Sequence, residues 1–171
     1  MFLETQRLIL RKPEVTDVDD YLSFVNSDFV QQFNAMTPVT REKAEFQFSN
    51  AQDDCSVIAI ELKQTGRLIG MIYTQEDSLR YGVASKELSY FLREEESRKG
   101  YMKEALIHHL FKTENLTCIA ARSFVPNIAS QRLLESLGFS KNGVIPQCVK
   151  GYQDIVFDDC LYSLMKEDCS F

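Results

Sequence analysis

No stretch of this chain is apolar for anything near the ~20 residues that cross a bilayer. Its opening, MFLETQRLIL, has no basic region leading into an apolar run and a small-residue cleavage site. Neither a membrane span nor a secretory signal is expected, and the protein is expected in the cytoplasm. Paired cysteine spacing is missing as well. The five cysteines, Cys55, Cys118, Cys148, Cys160 and Cys169, are odd in number and contain no CxxC. They fit buried small hydrophobes in a reducing compartment better than a disulfide framework, and no metal cluster is expected. Positive charge is in short supply: 19 Lys and Arg face 25 Asp and Glu, leaving a net charge of −6. That balance argues against broad contact with nucleic-acid phosphates. It suits a cationic partner such as an amine, and serves equally as ordinary solubility charge. Repeats, linkers and low-complexity tracts are absent.

What is present fits one soluble globular domain over residues 1–171. Hydrophobic residues at 44% and charged residues at 26% exclude disordered, collagen-like and coiled-coil classes. The length suffices to bury a core without disulfide or metal support.

Residues 5–11 alternate as a first strand that Pro13 ends. Thr16 is the expected N-cap of a helix carrying Val18, Leu22 and Val25 on one face, with Asp17, Asp19 and Asp20 in its first turn. Residues 29–36 are aromatic and apolar but poorly periodic. Thr40 caps a second helix with Ala44, Phe48 and Ala51 at spacings of four and three. Residues 56–63 and 67–73, joined at Gly66, read as a β-hairpin, and the polar residues 75–86 lead to a strand over 87–92. In that strand Glu87, Ser89 and Phe91 share one face and Leu88, Tyr90 and Leu92 the other. A helix from residue 101 to about 112, a strand over 116–124, a helix after Asn127 that stops at Gly138, and strands over 144–150 and 155–165 complete the chain. The order βααβββαβαββ implies a mixed sheet of about seven strands with helices on both faces.

The stretch ELSYFLREEESRKGYMKEALIHHL (residues 87–110) runs from a strand through a charged, glycine-containing turn into a helix. Free N–H groups and the positive end of the helix dipole at such a junction attract phosphate, and Gly100 lets the backbone approach it. Read without its neighbours, the same turn is a solvated loop before a surface helix. Glu94, Glu95 and Glu96 read as a solvated turn, and His108 and His109 meet no ligand spacing.

Two motifs resemble a known family. The turn Ser97-Arg98-Lys99-Gly100-Tyr101-Met102-Lys103-Glu104-Ala105 is similar to the pyrophosphate loop of the GNAT superfamily, the Gcn5-related N-acetyltransferases. The stretch from Asn127 to Phe139 resembles that family's N-x-x-S-x-x-x-x-E-x-x-G-F helix. The opening TQRLILR resembles that of the RimJ and RimL branch, the ribosomal-protein N-terminal acetyltransferases, so the likeness covers nearly the whole chain.

The resemblance implies a GNAT fold of the α/β (α+β) class, with a mostly antiparallel twisted sheet, and acetyl-CoA as co-substrate. It implies that Ser89, Tyr90, Phe91, Leu92, Arg98, Lys99, Gly100, Tyr101, Met102, Asn127 and Ser130 hold that molecule. The acetyl-bearing arm would lie between strands 87–92 and 116–124, with N–H groups near Ser89 and Tyr90 polarising the thioester carbonyl.

Acetyl transfer to an amine needs a neutral nucleophile, a stabilised oxyanion and a donor for the departing thiolate. The chain offers no Ser-His-Asp set, so direct attack in a ternary complex is expected. By the resemblance Glu87 is the general base; otherwise it is an exposed strand-end charge or a partner of Arg122. Many relatives carry a tyrosine where this chain has Leu134, which leaves Ser130 as the candidate acid, with Tyr162 or solvent as alternatives. Asn127 and Ser130 serve equally as helix-cap residues.

The acceptor pocket is expected from residues 29–36, 75–86 and the hairpin at Tyr152, which makes Phe29, Phe33, Tyr81 and Tyr152 the substrate-binding candidates. Glu87 and Asp158 are the acidic candidates for an ammonium. The acceptor is a protein N-terminus or a small amine, with neither nucleic acid nor membrane expected as partner, and the chain is a monomer or a homodimer. The competing class is a non-catalytic acyl-CoA-binding or sensing module. A nucleotide-binding protein lacks its GxxxxGK[ST] sequence here.

Overall fold

The computed structural model describes residues 2–51, 56–109 and 116–168, with the side chains of all of these except residue 2 and residues 107–109. Within them lies one eight-stranded sheet in the order β1-β2-β3-β4-β5-β6-β8-β7. Its strands are β1 (Phe2–Glu4), β2 (Leu8–Arg11), β3 (Val57–Leu62), β4 (Arg67–Glu76), β5 (Ser85–Leu92), β6 (Cys118–Phe124), β7 (Ser140–Lys150) and β8 (Val156–Met165). Every neighbouring pair is antiparallel except β5 and β6. A parallel pair needs a long crossover, and here the crossover carries helix α4 (Tyr101–His109).

The sequence expectation of about seven strands misses β1. Residues 5–7 form a turn in which Thr5 Oγ1 accepts from Leu8 N–H (3.0 Å), so the expected first strand is a tight hairpin.

Alternation assigns the two faces. Ile58, Ile60 and Leu62 of β3, with Leu88 and Leu92 of β5, pack under α4 and α5 (Ile128–Ser136), which contribute Met102, Ala105, Leu106 and Leu134, with Leu137 joining them from the α5 C-cap. Ala59, Leu68 and Met71 on the opposite face meet α1 (Val18–Val25), the one-turn α2 (Asp28–Gln31) and α3 (Arg41–Ser49). In β4 the alternation skips a beat. Ile60 pairs with Gly70 but Glu61 pairs with Leu68, so Ile69 is an extra residue and adjacent Leu68 and Ile69 both serve a core.

Thr40 caps α3 as expected, accepting from Lys43 N–H (3.3 Å). Thr16 does not cap α1. Glu14 opens a short 3₁₀ turn over Val15–Asp17, and Asp17 is taken up by a two-pronged bond from Arg11 (2.7 and 2.8 Å). A buried carboxylate facing a guanidinium fork outcompetes the threonine hydroxyl for control of the helix start. Among the described residues no helix is long and apolar enough to cross a membrane. Cys55 and Cys169 lie outside the described residues, and the side chains of His108 and His109 outside the described side chains.

Candidate active site

β5 and β6 pair only from Ser85↔Cys118 to Leu88↔Ala121, while β5 stays paired with β4 from Glu76↔Lys86 up to Gly70↔Leu92. The sheet therefore parts after Leu88. Arg93 N–H donates to Ile69 C=O on β4 (2.8 Å), so by the two-residue period the backbone groups of Phe91 and Ser89 also face β4. Those of Tyr90 and Leu92 face the gap. Of the two amides that the sequence pointed to, Tyr90 opens onto the gap and Ser89 does not. Phe91 puts its ring on the α1 side of the sheet, among Tyr21, Phe24 and Tyr73 at centroid distances of 5.5–6.4 Å.

At one end of the gap stands the turn before α4. Its first helical bond runs from Glu104 N–H to Gly100 C=O (3.0 Å), so the N–H groups ahead of Glu104 are available to an outside acceptor. Arg98 (φ 59°) and Gly100 (φ 82°) both adopt left-handed backbone, which curls the turn into a concave run of amides. Lys99 Nζ is bound to Glu96 (2.9 Å), so the acidic turn is partly neutralised by the basic residue it precedes.

A brace fixes this turn from behind, one that sequence reasoning missed. Arg7 Nη1 donates to Lys99 C=O (3.0 Å), its Nε pairs with Glu104 (2.7 Å), and its guanidinium lies 4.4 Å from the centre of the Tyr101 ring. Thr5 Oγ1 and Arg7 N–H also donate to Glu104. Burial raises the Glu104 carboxyl, but these bonds outweigh it and hold the group below its ordinary value. The only sequence signal was two opposite charges 97 positions apart in two separate motifs.

On the same face α5 begins. Asn127 Oδ1 accepts from Ser130 N–H (3.2 Å), the capping use the sequence allowed, and the Asn127 amide nitrogen remains for another partner. Ser130 Oγ meets the Tyr90 hydroxyl at 2.9 Å, joining β5 to α5 where β6 has turned away. Leu134, one turn further along α5, is fully buried in the core. Tyr162 is 1% exposed and its hydroxyl meets Gln131 and Glu135, each at 3.3 Å, so it is committed to the back of α5. Met102 is likewise buried in the core.

The opposite face carries the charged groups. Glu87 is half-buried and accepts from Gln75 Nε2 across the β4–β5 pair (3.0 Å). Arg122 lies two residues beyond Ala120, the β6 partner of Glu87, but pairs with Asp159 (2.6 Å) and donates to Cys148 Sγ (3.0 Å). Burial pulls the Arg122 guanidinium down, and Asp159, Cys148 and Glu87 more than offset it. Asp159 is 2% exposed, and its Oδ1 has no hydrogen-bond partner among the described residues.

Asp158, the acidic residue picked from the sequence, faces the other way and accepts from Gln147 N–H (2.8 Å) at a break in the β7–β8 register. Alternation along β8 could have made the distinction, since Asp159 shares the Arg122 face and Asp158 does not.

Tyr152 reaches from the β7–β8 hairpin to Asp28 Oδ1 (2.6 Å), beside half-buried Phe29, and Phe124 stacks on Phe157 at 4.7 Å beneath that hairpin. Phe33 is half-buried just past α2, while Tyr81 is 89% exposed in the β4–β5 connection.

The sheet thus parts beside two helix starts, with the Tyr90 and Leu92 amides turned toward the gap and without a partner among the described residues. The profile of the family described as "Acetyltransferase (GNAT) domain" matches residues 7–140. The chain is 30% identical to the uncharacterized N-acetyltransferase YoaA of Bacillus subtilis, over 96% of each chain. It superposes on the ribosomal-protein-S5-alanine acetyltransferase of Vibrio fischeri with a TM-score of 0.83, at 18% identity over 100% of each chain. It superposes on RimJ of Mycobacterium smegmatis, solved with CoA-disulfide, with a TM-score of 0.82, at 17% identity over 96% of this chain and 84% of that one.

The chain belongs to the GNAT acetyltransferases and is an acetyl-CoA-dependent enzyme of that class. The RimJ-like resemblance holds at the level of the fold. The relatives named above are acetyltransferases and lend no support to the non-catalytic module.

Proposed function

We propose that the chain acts as one domain that moves the acetyl group of acetyl-CoA directly to a primary amine within a ternary complex. The observation that carries this reading is the parting of β5 from β6 after Leu88↔Ala121, which leaves the Tyr90 and Leu92 amides unused between two helix starts. Acetyl-CoA supplies the thioester carbonyl and a thiolate leaving group. The amides of the Arg98–Met102 turn hold its pyrophosphate, Asn127 Nδ2 holds the arm, and the Tyr90 N–H polarises the carbonyl.

The amine enters from the α1 side of the sheet, between α2 and the hairpin carrying Tyr152. Glu87 takes the amine's proton, directly or through water, while Arg122 and Asp159 beneath it hold each other in place. The Asp28 carboxylate at the rim adds negative potential, which favours a cationic acceptor. Ser130 holds a hydroxyl against the departing sulfur. A protein N-terminus and a small amine both fit this chemistry. The ribosomal-protein acetyltransferase named above is the ground for testing N-terminal peptides first.

Thiol release measured with acetyl-CoA against a panel of N-terminal peptides and small amines tests the reading; no release with any acceptor rejects it. Glu87→Gln is expected to lower kcat by about 10²–10³-fold and to change the pH profile of turnover, with acetyl-CoA binding unchanged. Unchanged turnover and an unchanged profile would remove Glu87 from the role of base.

A further inference from the structure

Resting on that reading, we propose that Tyr90 is a positioning residue whose phenol donates to Ser130 Oγ and so turns the one Ser130 proton toward the departing sulfur. The two hydroxyls are 2.9 Å apart, and this is the hydrogen bond that Ser130 Oγ makes among the described residues. A phenol is the more acidic hydroxyl, so in a phenol–alcohol pair it is the natural donor. A hydroxyl has a single proton. Once Ser130 Oγ accepts from Tyr90, its own O–H must point elsewhere, and the open direction is the gap between β5 and β6.

Tyr90 is suited to this by its place in the strand. Its ring leans on the core between Leu88 and Leu92, its backbone N–H faces the gap, and its hydroxyl crosses to the first turn of α5. One residue therefore presents an amide toward the carbonyl and a phenol toward the hydroxyl that meets the sulfur. Burial pushes the phenol up to about 12, so it stays protonated throughout the working range. A donor that never ionises acts by direction and not by giving up its proton. In the transfer itself the acetyl carbon gains the C–N bond and loses the C–S bond. The electron pair of the latter stays on sulfur, the nitrogen's surplus proton passes to Glu87, and Ser130 O–H hydrogen-bonds the thiolate without net proton transfer.

A donor aimed at sulfur stabilises the thiolate over the thiol, so it can be read without any acceptor. The probe is CoA itself, bound to the protein and titrated by the ultraviolet absorbance of its thiolate. Wild-type protein is expected to lower the thiol pKa below that of free CoA. Ser130→Ala is expected to raise it again by about one pH unit, and Tyr90→Phe by at least half as much. Tyr90→Phe combined with Ser130→Ala is expected to titrate as Ser130→Ala alone. CoA affinity in acid should stay close to the wild-type value because the ring is kept, and the melting temperature of Tyr90→Phe should fall by no more than the few degrees that one lost hydrogen bond costs.

A wild-type titration in Tyr90→Phe overturns the proposal. So does a Tyr90→Phe shift that survives in the Ser130→Ala background, because the phenol would then act on sulfur itself. If the thiol behaves as expected but no amine is acetylated, the acceptor reading fails and the Tyr90–Ser130 arrangement stands. If CoA does not bind the wild-type protein, both fall.

Discussion

At the scale of single residues, the narrowest tolerance lies at Gly70, where β4 passes the end of β5. A Cβ there would come within 2.7 Å of both the Phe91 carbonyl oxygen and Leu92 Cδ1. The leucine can rotate, but the carbonyl is part of the β4–β5 ladder and cannot. Gly70→Ala is therefore expected to destabilise the protein by about 1–3 kcal/mol, read as a melting temperature several degrees lower. Because the same carbonyl belongs to the strand that borders the gap, the KM for acetyl-CoA should rise along with it. An unchanged melting temperature would show that β4 can draw back. A glycine within a strand is compatible with a close approach, but its residue type does not say what approaches. The same boundary separates Thr16 from Asp17 and Asp158 from Asp159: residue type suggested a cap or an acid, and only the partner across the sheet decided which neighbour took the role.

At the scale of elements, the strand, turn and helix around Gly100 were legible because glycine, charge and periodicity all changed at one point. Their fastening was not, because Arg7 reaches the turn from β2's approach across the sheet. Glu104 is the centre of that fastening, and its carboxyl sits below its ordinary value of 4.5. A depressed carboxylate contributes its stability in full above the ordinary value and loses it as the pH falls through the depressed one. The urea midpoint of wild type should therefore exceed that of Glu104→Gln at neutral pH, with the difference shrinking below about pH 4.5 and vanishing in stronger acid. A difference that stays constant with pH would mean that Arg7 and Thr5 do not bind the ionised form. The parting of β5 and β6 was beyond sequence reading for a similar reason: each strand is regular, and only the length of their shared ladder reveals the opening.

For the whole molecule, a net charge of −6 sets opposite fields for the two reactants. Raising ionic strength from low to physiological should raise the KM for a cationic acceptor, by screening its attraction. It should lower the KM for acetyl-CoA, by screening the repulsion of its phosphates. Parallel changes in both would point to local pairing instead of the overall field. Fold class and face assignment were readable at this scale because the alternation of β3 and β5 and the helical spacing of α1 and α5 agree with one another. The eighth strand was lost to a three-residue element. That shortness has a consequence for how copies of the protein meet. One border of the sheet is a strand of three residues, and the other is β7, which carries Pro146 and a register break between Ile145 and Val149. Both borders are thereby blunted as templates for a further strand, which guards the folded form against stacking into fibres from either side.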